Sequence, residues 1–189
     1  MRKPSDWDTT RAAQSGEYER LSLGGHVCKI IKAQMTSDRN GHEQMELYLD
    51  IAEGTEYDGF FRRQYEARKG EGATQWPVGG IFRQYTEVYN GNGETNPYFK
   101  GMIQAIVESN NGYVWDWNER SLTGKYIGAV FGEEEYMGRD GQIKKTTRAR
   151  YVCAAVSAAD KEVPKLKEYK GKRQEPEQFT EDDGDQLPF

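Results

Sequence analysis

The sequence predicts a mainly β protein with one helix: five strands in the order β-β-β-α-β-β, then an acidic tail that does not pack. Three observations lead there. Only 35% of the 189 residues are apolar, below the ~45–50% of an ordinary globular chain, so part of the chain stays outside any core. Aromatic residues make up 12% and glycine occurs 21 times, which favours short strands and turns over a helical bundle. Period-two alternation is clear in one stretch, and a helical stripe in another.

Residues 1–19 are polar, with Trp7 and Tyr18 isolated, and form an irregular lead-in. The first strand is His26–Met35. Asn40-Gly41 then marks a turn. The second strand is the clearest: Met45, Leu47, Leu49 and Ile51 alternate with Glu46, Tyr48 and Asp50, so the first set is expected inward and the second outward. The third is placed at Tyr57–Glu66, with Gly59 as a bulge. Residues 67–96 are punctuated by glycine and Pro77 and read as irregular.

The helix starts at the cap Asn96 with Pro97 in its first turn. Phe99, Met102, Ile103, Ile106 and Val107 lie on one stripe, and Asn110-Asn111-Gly112 ends it. Strand four is Lys125–Phe131, a loop runs from Gly132 to Gly141, and strand five is Ile143–Ser157. From Ala158 on, the chain is too charged to offset its ordering entropy and is expected to be disordered. The domains are thus a lead-in (1–19), a folded unit (20–157) and a tail (158–189). The element order is that of the OB-fold, a five-stranded Greek-key barrel, with the helix closing its bottom.

No run approaches the ~18 apolar residues of a membrane span. The first residues lack the apolar stretch of a secretory signal. Cys28 and Cys153 are too few for a disulfide framework or a zinc site. A cytoplasmic protein is expected. The net charge is −5, but six acids and no Lys or Arg lie between Glu175 and Phe189, so the body is near neutral. An acidic total therefore does not exclude a nucleic-acid partner, whose contact face depends on local charge.

Binding of single strands without sequence preference needs cations for phosphates and exposed rings for bases. The third strand offers Phe60, Phe61, Arg62, Arg63, Tyr65 and Arg68, and Tyr48 lies on the outward face of the second. On strand five Lys144, Thr146, Arg148 and Arg150 share one parity and form a cationic ladder, beside Lys145 and Tyr151. Arg39 lies in the first loop, Tyr136 and Arg139 in the loop after strand four. Barrels of this type bind through strands two and three and these two loops. Each ring and each Arg also has an ordinary reading as packed surface, and one of Phe60 and Phe61 must face inward. Trp76 is unassigned between core and base stacking, while Trp115 and Trp117 lean towards structure.

The chain ends Thr180-Glu181-Asp182-Asp183-Gly184-Asp185-Gln186-Leu187-Pro188-Phe189. An acidic run closing on an apolar residue with a free carboxylate is a tethered docking peptide: the ring enters an apolar pocket and the acids steer towards a basic rim. At Asp182, Asp183, Asp185, Leu187, Pro188 and Phe189 it resembles the acidic tip of bacterial and phage single-stranded DNA-binding proteins, with Gly184 and Gln186 interrupting the run. The body, including Gly112–Trp117 and Met1–Pro4, is more similar to the phage and prophage versions. The resemblance implies a barrel that holds single-stranded DNA, a tip that recruits replication, recombination and repair proteins, and a homo-oligomer. Being a polyanion, the tail is expected to compete weakly for a cationic groove, so its deletion should leave or raise affinity.

An enzyme is not expected. His26 and His42 have no Cys cluster near them, Gly91-Asn92-Gly93-Glu94 lacks the third glycine of a dinucleotide fingerprint, and no cofactor is implied. The alternative is a metal-dependent phage nuclease or recombination enzyme using Glu133, Glu134, Glu135 and Asp140 as Mg²⁺ ligands.

Overall fold

The computed structural model describes residues 3, 5, 19–70, 72, 74–88 and 92–171. In chain order the elements are β1 (Gly24–Ser37), β2 (Glu43–Ile51), α1 (Phe60–Lys69), β3 (Ile81–Tyr85), α2 (Pro97–Ser109), β4 (Tyr126–Met137) and β5 (Ile143–Cys153). Short 3-10 turns lie at Val78–Gly80, Glu119–Leu122 and Ala155–Ser157. The strands form one antiparallel sheet in the order β3-β2-β1-β4-β5. Its outer strands β3 and β5 share no ladder, so the sheet is not closed into a barrel.

Four elements follow the local sequence signals. β1 and β2 meet across a turn in which Asp38 Oδ1 accepts from the backbone N–H of Asn40 and His42 (2.8 and 3.0 Å). Met45, Leu47, Leu49 and Ile51 face the core as the alternation predicts. α2 begins where Asn96 Oδ1 accepts from Tyr98 N–H (2.9 Å), and it buries Phe99, Met102, Ala105 and Ile106. β5 starts at Ile143 and ends at Cys153, short of Ser157, because residues 155–157 turn away.

The third predicted strand is instead the helix α1. Its sequence has no β-branched residue, and Phe60 and Phe61 are both buried where a strand would split them between faces. No residue of its own caps it; Gly59, at φ 64°, offers no side chain. The cap comes from β2: Asp50 Oδ1 accepts from the backbone N–H of Phe61 and Arg62 (2.9 and 3.3 Å) and of Ile51 (3.0 Å). Burial pushes the Asp50 carboxyl above its ordinary value despite those donors and the nearby Arg62.

The real third strand, β3, lies in the stretch read as irregular. The glycines before it serve close packing. A Cβ on Gly80 would come within 2.8 Å of both Leu49 O and the Phe61 ring. One on Gly79 would come within 2.5 Å of Thr147 O on β5. The chain thus passes between α1 and β5 only because both side chains are absent. Phe61 is stacked on Phe131 of β4 at 5.7 Å between centroids, in the core formed with Leu47, Leu49, Met102 and Ile106.

β4 extends through Glu133–Glu135, so the predicted loop after Phe131 is mostly strand. β5 compensates the poor strand propensity of three glutamates: Glu135 lies opposite Lys145, Glu134 opposite Thr146 and Glu133 opposite Thr147, and the Glu133 and Glu134 carboxylates pair with Lys145 and Arg148. A bulge sets Val130 opposite Tyr151 and Phe131 opposite Ala149, leaving Arg150 out of the ladder.

The folded part also passes residue 157. Residues 158–171 lie along β1 and β4 as a strap. Ala158 is 1% exposed, and a Cβ on Gly25 would lie 1.7 Å from Ala158 O. Lys167 bridges Glu134 in parallel: its N–H donates to Glu133 O (3.1 Å) and its carbonyl accepts from Glu135 N–H (2.9 Å). The disorder expected from Ala158 therefore does not hold over 158–171, since composition alone cannot register pairing to a strand 33 residues away. The tip residues Asp182, Asp183, Asp185, Leu187, Pro188 and Phe189 lie outside the described residues. Among the described residues no helix is long and apolar enough to cross a membrane.

Candidate nucleic-acid interface

An open trough of about 1030 Å³ lies between α1 and the β4–β5 pair. Its walls are α1, residues 19–23, Pro77–Gly79 and the facing parts of β4 and β5, and its floor is Leu21, Phe60 and Phe61. Four cations line it: Arg20, Arg68, Lys145 and Arg148. So do three acids, Glu19, Glu133 and Glu134, and the ring of Tyr136.

The acids are mostly engaged. Glu19 pairs with Arg63 (2.8 Å), Glu133 with Lys145 (3.8 Å), and Glu134 with both Arg148 (3.5 Å) and Lys167 (2.8 Å). Burial works to raise the Glu134 carboxyl, but Lys167, Arg148 and Arg150 outweigh it and hold it below the ordinary value. Among the described residues Arg20 and Arg68 have no carboxylate partner. The trough therefore offers two guanidinium groups without a carboxylate partner among the described residues, Arg68 Nε donating to Gln64 O (3.3 Å), and two cations shared with glutamates, above an apolar floor.

A second polar surface lies on the outer face of β1, β2 and β3. Glu46 is only 6% exposed, although the alternation places it outward. It accepts from Gln34 Nε2 (2.9 Å), Tyr48 OH (3.0 Å) and Arg83 Nε (2.5 Å), and Lys32 Nζ sits 5.3 Å from the centre of the Tyr48 ring. Asp50 and Glu46 of the outward set are thus covered, and Tyr48 is half-buried. The network holds Arg83 and the Tyr48 ring in place. Burial tends to raise the Glu46 carboxyl, but the hydrogen bonds from Gln34 and Tyr48 and the Arg83 charge bring it below the usual 4.5. A carboxyl depressed by folding stabilises the fold fully above that ordinary value, and the contribution is lost as pH falls through the lower folded value. Glu46→Gln should therefore unfold more easily than the wild type at pH 7, by about 1 kcal/mol. The gap should close on acidification below pH ~4.5, as urea unfolding at several pH values would record.

The structure disperses the sequence-predicted site residues. Tyr136 and Arg148 line the trough. Phe61 lies beneath it but is 2% exposed, a core residue and not a stacking ring. Tyr65 is half-buried against Trp76 (5.5 Å between centroids), whose Nε1 donates to Leu49 O (3.1 Å). Arg62 and Arg63 sit on α1 away from the trough: Arg62 is 3.6 Å from Asp50, and Arg63 pairs with Glu19 and donates to Asp58 O. Lys144 pairs with Asp140 (2.7 Å), and Arg150 donates to Glu133 O (3.2 Å). The predicted ladder is thus broken at Arg150 by the bulge, and the glutamates of β4 face it. Arg39 and Arg139 are exposed in the β1–β2 and β4–β5 turns.

Sequence reasoning missed Arg20, which lies at the start of the folded unit, and Arg83. The β-branched and aromatic residues of Ile81-Phe82-Arg83-Gln84-Tyr85 were a strand signal around Arg83, hidden among glycines. Trp115 is partly buried against the core. Trp117 is 79% exposed and takes φ 61°, alone among described non-glycine residues in the left-handed region. Asp116 Oδ1 holds that turn by accepting from Asn118 N–H (3.1 Å) and Ser121 Oγ (2.6 Å). Cys28, in the core, is no nucleophile, since burial pushes its thiol far up.

Comparison of the chain with models of protein families and with curated proteins finds no match.

Proposed function

We propose that this protein binds single-stranded DNA without sequence preference and without catalysis, and recruits replication, recombination and repair proteins through its C-terminal tip. The observation that carries the reading is the open trough between α1 and the β4–β5 pair, whose walls carry four cations above an apolar floor. The strand order supports it. β1, β2 and β3 form a meander, α2 crosses to β4 on the far side of β1, and β5 follows. This is the order of a Greek-key OB-type barrel left partly open, with α1 inserted between β2 and β3. Phosphates would engage Arg20, Arg68, Lys145 and Arg148. Tyr136 is the exposed ring that lines the trough and is suited to stacking.

The nuclease reading gains nothing from the geometry. Glu133 and Glu134 are committed to Lys145, Arg148 and Lys167 on a strand and do not converge with Asp140, which pairs with Lys144.

The test is a fluorescence titration with oligo-dT at two salt concentrations, without divalent metal, with oligo-rU as competitor. Metal-independent binding whose affinity falls steeply with salt supports the proposal. Truncation after Gln174 should leave affinity equal or higher. Absence of binding to dT, or cleavage that requires Mg²⁺, overturns the reading.

A further inference from the structure

Glu134 is shared between two unlike partners. Its Oε2 faces Arg148 Nη1 in the trough wall at 3.5 Å, and its Oε1 faces Lys167 Nζ of the strap at 2.8 Å. The carboxylate is 17% exposed and Arg148 26%, while Lys167 is 55% exposed, so the contact to Arg148 is the less screened of the two. The strap is fixed there by more than charge. Lys167 makes two backbone hydrogen bonds to β4, Tyr169 N–H donates to Glu135 Oε2 (3.2 Å), and Tyr151 OH donates to Glu162 O (3.2 Å). A Cβ on Gly132 would touch the Pro164 ring at 3.1 Å, so the approach is tight. The closer cation takes the larger share of one negative charge. With Lys167 in place, Arg148 is held loosely at 3.5 Å and can turn to a phosphate. With Lys167 gone, Glu134 has Arg148 as its main counter-ion, and Arg148 is drawn from the strand.

Resting on the proposed binding function, we propose that Lys167 is a positioning residue for the trough: by occupying Glu134 from outside, the strap keeps Arg148 available to the single strand. In sequence, the acidic segment from Glu175 follows the strap within a few residues, so the coupling also has a direction. A partner that draws on the tail and peels the strap off β4 would hand Arg148 to Glu134 and loosen the strand from the trough. By reciprocity, a bound strand must tighten the strap.

A double-mutant cycle tests this, with oligo-dT affinity measured in full-length protein. Lys167→Ala should weaken binding about three- to tenfold, a coupling of the usual size for residues in one ion-pair network. Lys167→Arg should bind like the wild type. In a Glu134→Gln background the Lys167→Ala change should have no effect, because the competing charge is gone. A folding defect or a direct Lys167–phosphate contact would not be rescued that way, so persistence of the full loss in that background overturns the coupling. Arg148→Ala separates the two readings. Lys167→Ala at wild-type affinity while Arg148→Ala binds weakly overturns the coupling and leaves the trough standing; both at wild-type affinity overturn both. Hydrogen exchange adds an independent readout: the Glu135 and Lys167 amides should exchange more slowly when dT is bound, and an unchanged rate contradicts the linkage.

Discussion

Phe61→Ala is expected to destabilise the protein by about 3–5 kcal/mol, the cost of truncating a fully buried Phe. The ring is stacked on Phe131, meets Phe60 edge-on at 5.1 Å, and leaves no room for a side chain on Gly80. Removing it opens a cavity where α1, β4 and the turn before β3 meet, and the backbone around Gly79 and Gly80 has little freedom to collapse into it. The melting temperature should fall on the order of 10 °C, and Phe61→Leu should recover most of the loss. A stacking ring would behave oppositely, with oligo-dT affinity lost and melting unchanged; that pattern would remove Phe61 from the core and reopen its assignment as a binding residue.

Arg68→Ala, Lys145→Ala and Arg148→Ala combined are expected to lower oligo-dT affinity by about 1000-fold or more at moderate salt, with each charge-assisted contact contributing ~1.5 kcal/mol or more. The slope of log affinity against log salt should flatten by about 2, since each phosphate contact on a single strand accounts for ~0.7. The loss should exceed that of three neutral deletions. Removing Lys145 and Arg148 leaves Glu133 and Glu134 facing the strand with Lys167 and Arg150 to offset them. Stability should change little, because all three side chains are at the surface of the trough and surface ion pairs contribute little. An unchanged salt slope would move the binding face elsewhere, with the Lys32–Tyr48–Arg83 surface on β1–β3 as the next place to mutate.

Elements whose signal is local were legible. Period-two alternation at 45–51, the Asn96-Pro97 cap with its apolar stripe, and the Asn40-Gly41 turn each act within a few residues, and each corresponds to a strand, helix or turn. α1 was misread because its deciding interaction is remote: Asp50 supplies the cap that Gly59 cannot, and aromatic residues at its start imitate a strand. β3 was hidden because Gly79 and Gly80, ordinarily signs of a loop, here permit close approach to Phe61 and Thr147.

The candidate site was legible in kind and not in place. The residue types named for it, cations and rings on the last strand pair, do line the trough at Tyr136 and Arg148. Which of them are available depends on facing strands. Parity along β5 could indicate which cations share a side, but not that β4 would set three glutamates against them, nor that a bulge would remove Arg150. The acidic run leading to Leu187-Pro188-Phe189, the near-neutral body and the strand-rich composition are properties of the chain alone, because they need no partner segment. The open trough, the burial of both Phe60 and Phe61, and the division of Glu134 between Arg148 and Lys167 arise only when segments far apart in sequence meet. Charge and burial at such points are set by neighbours that no local pattern names.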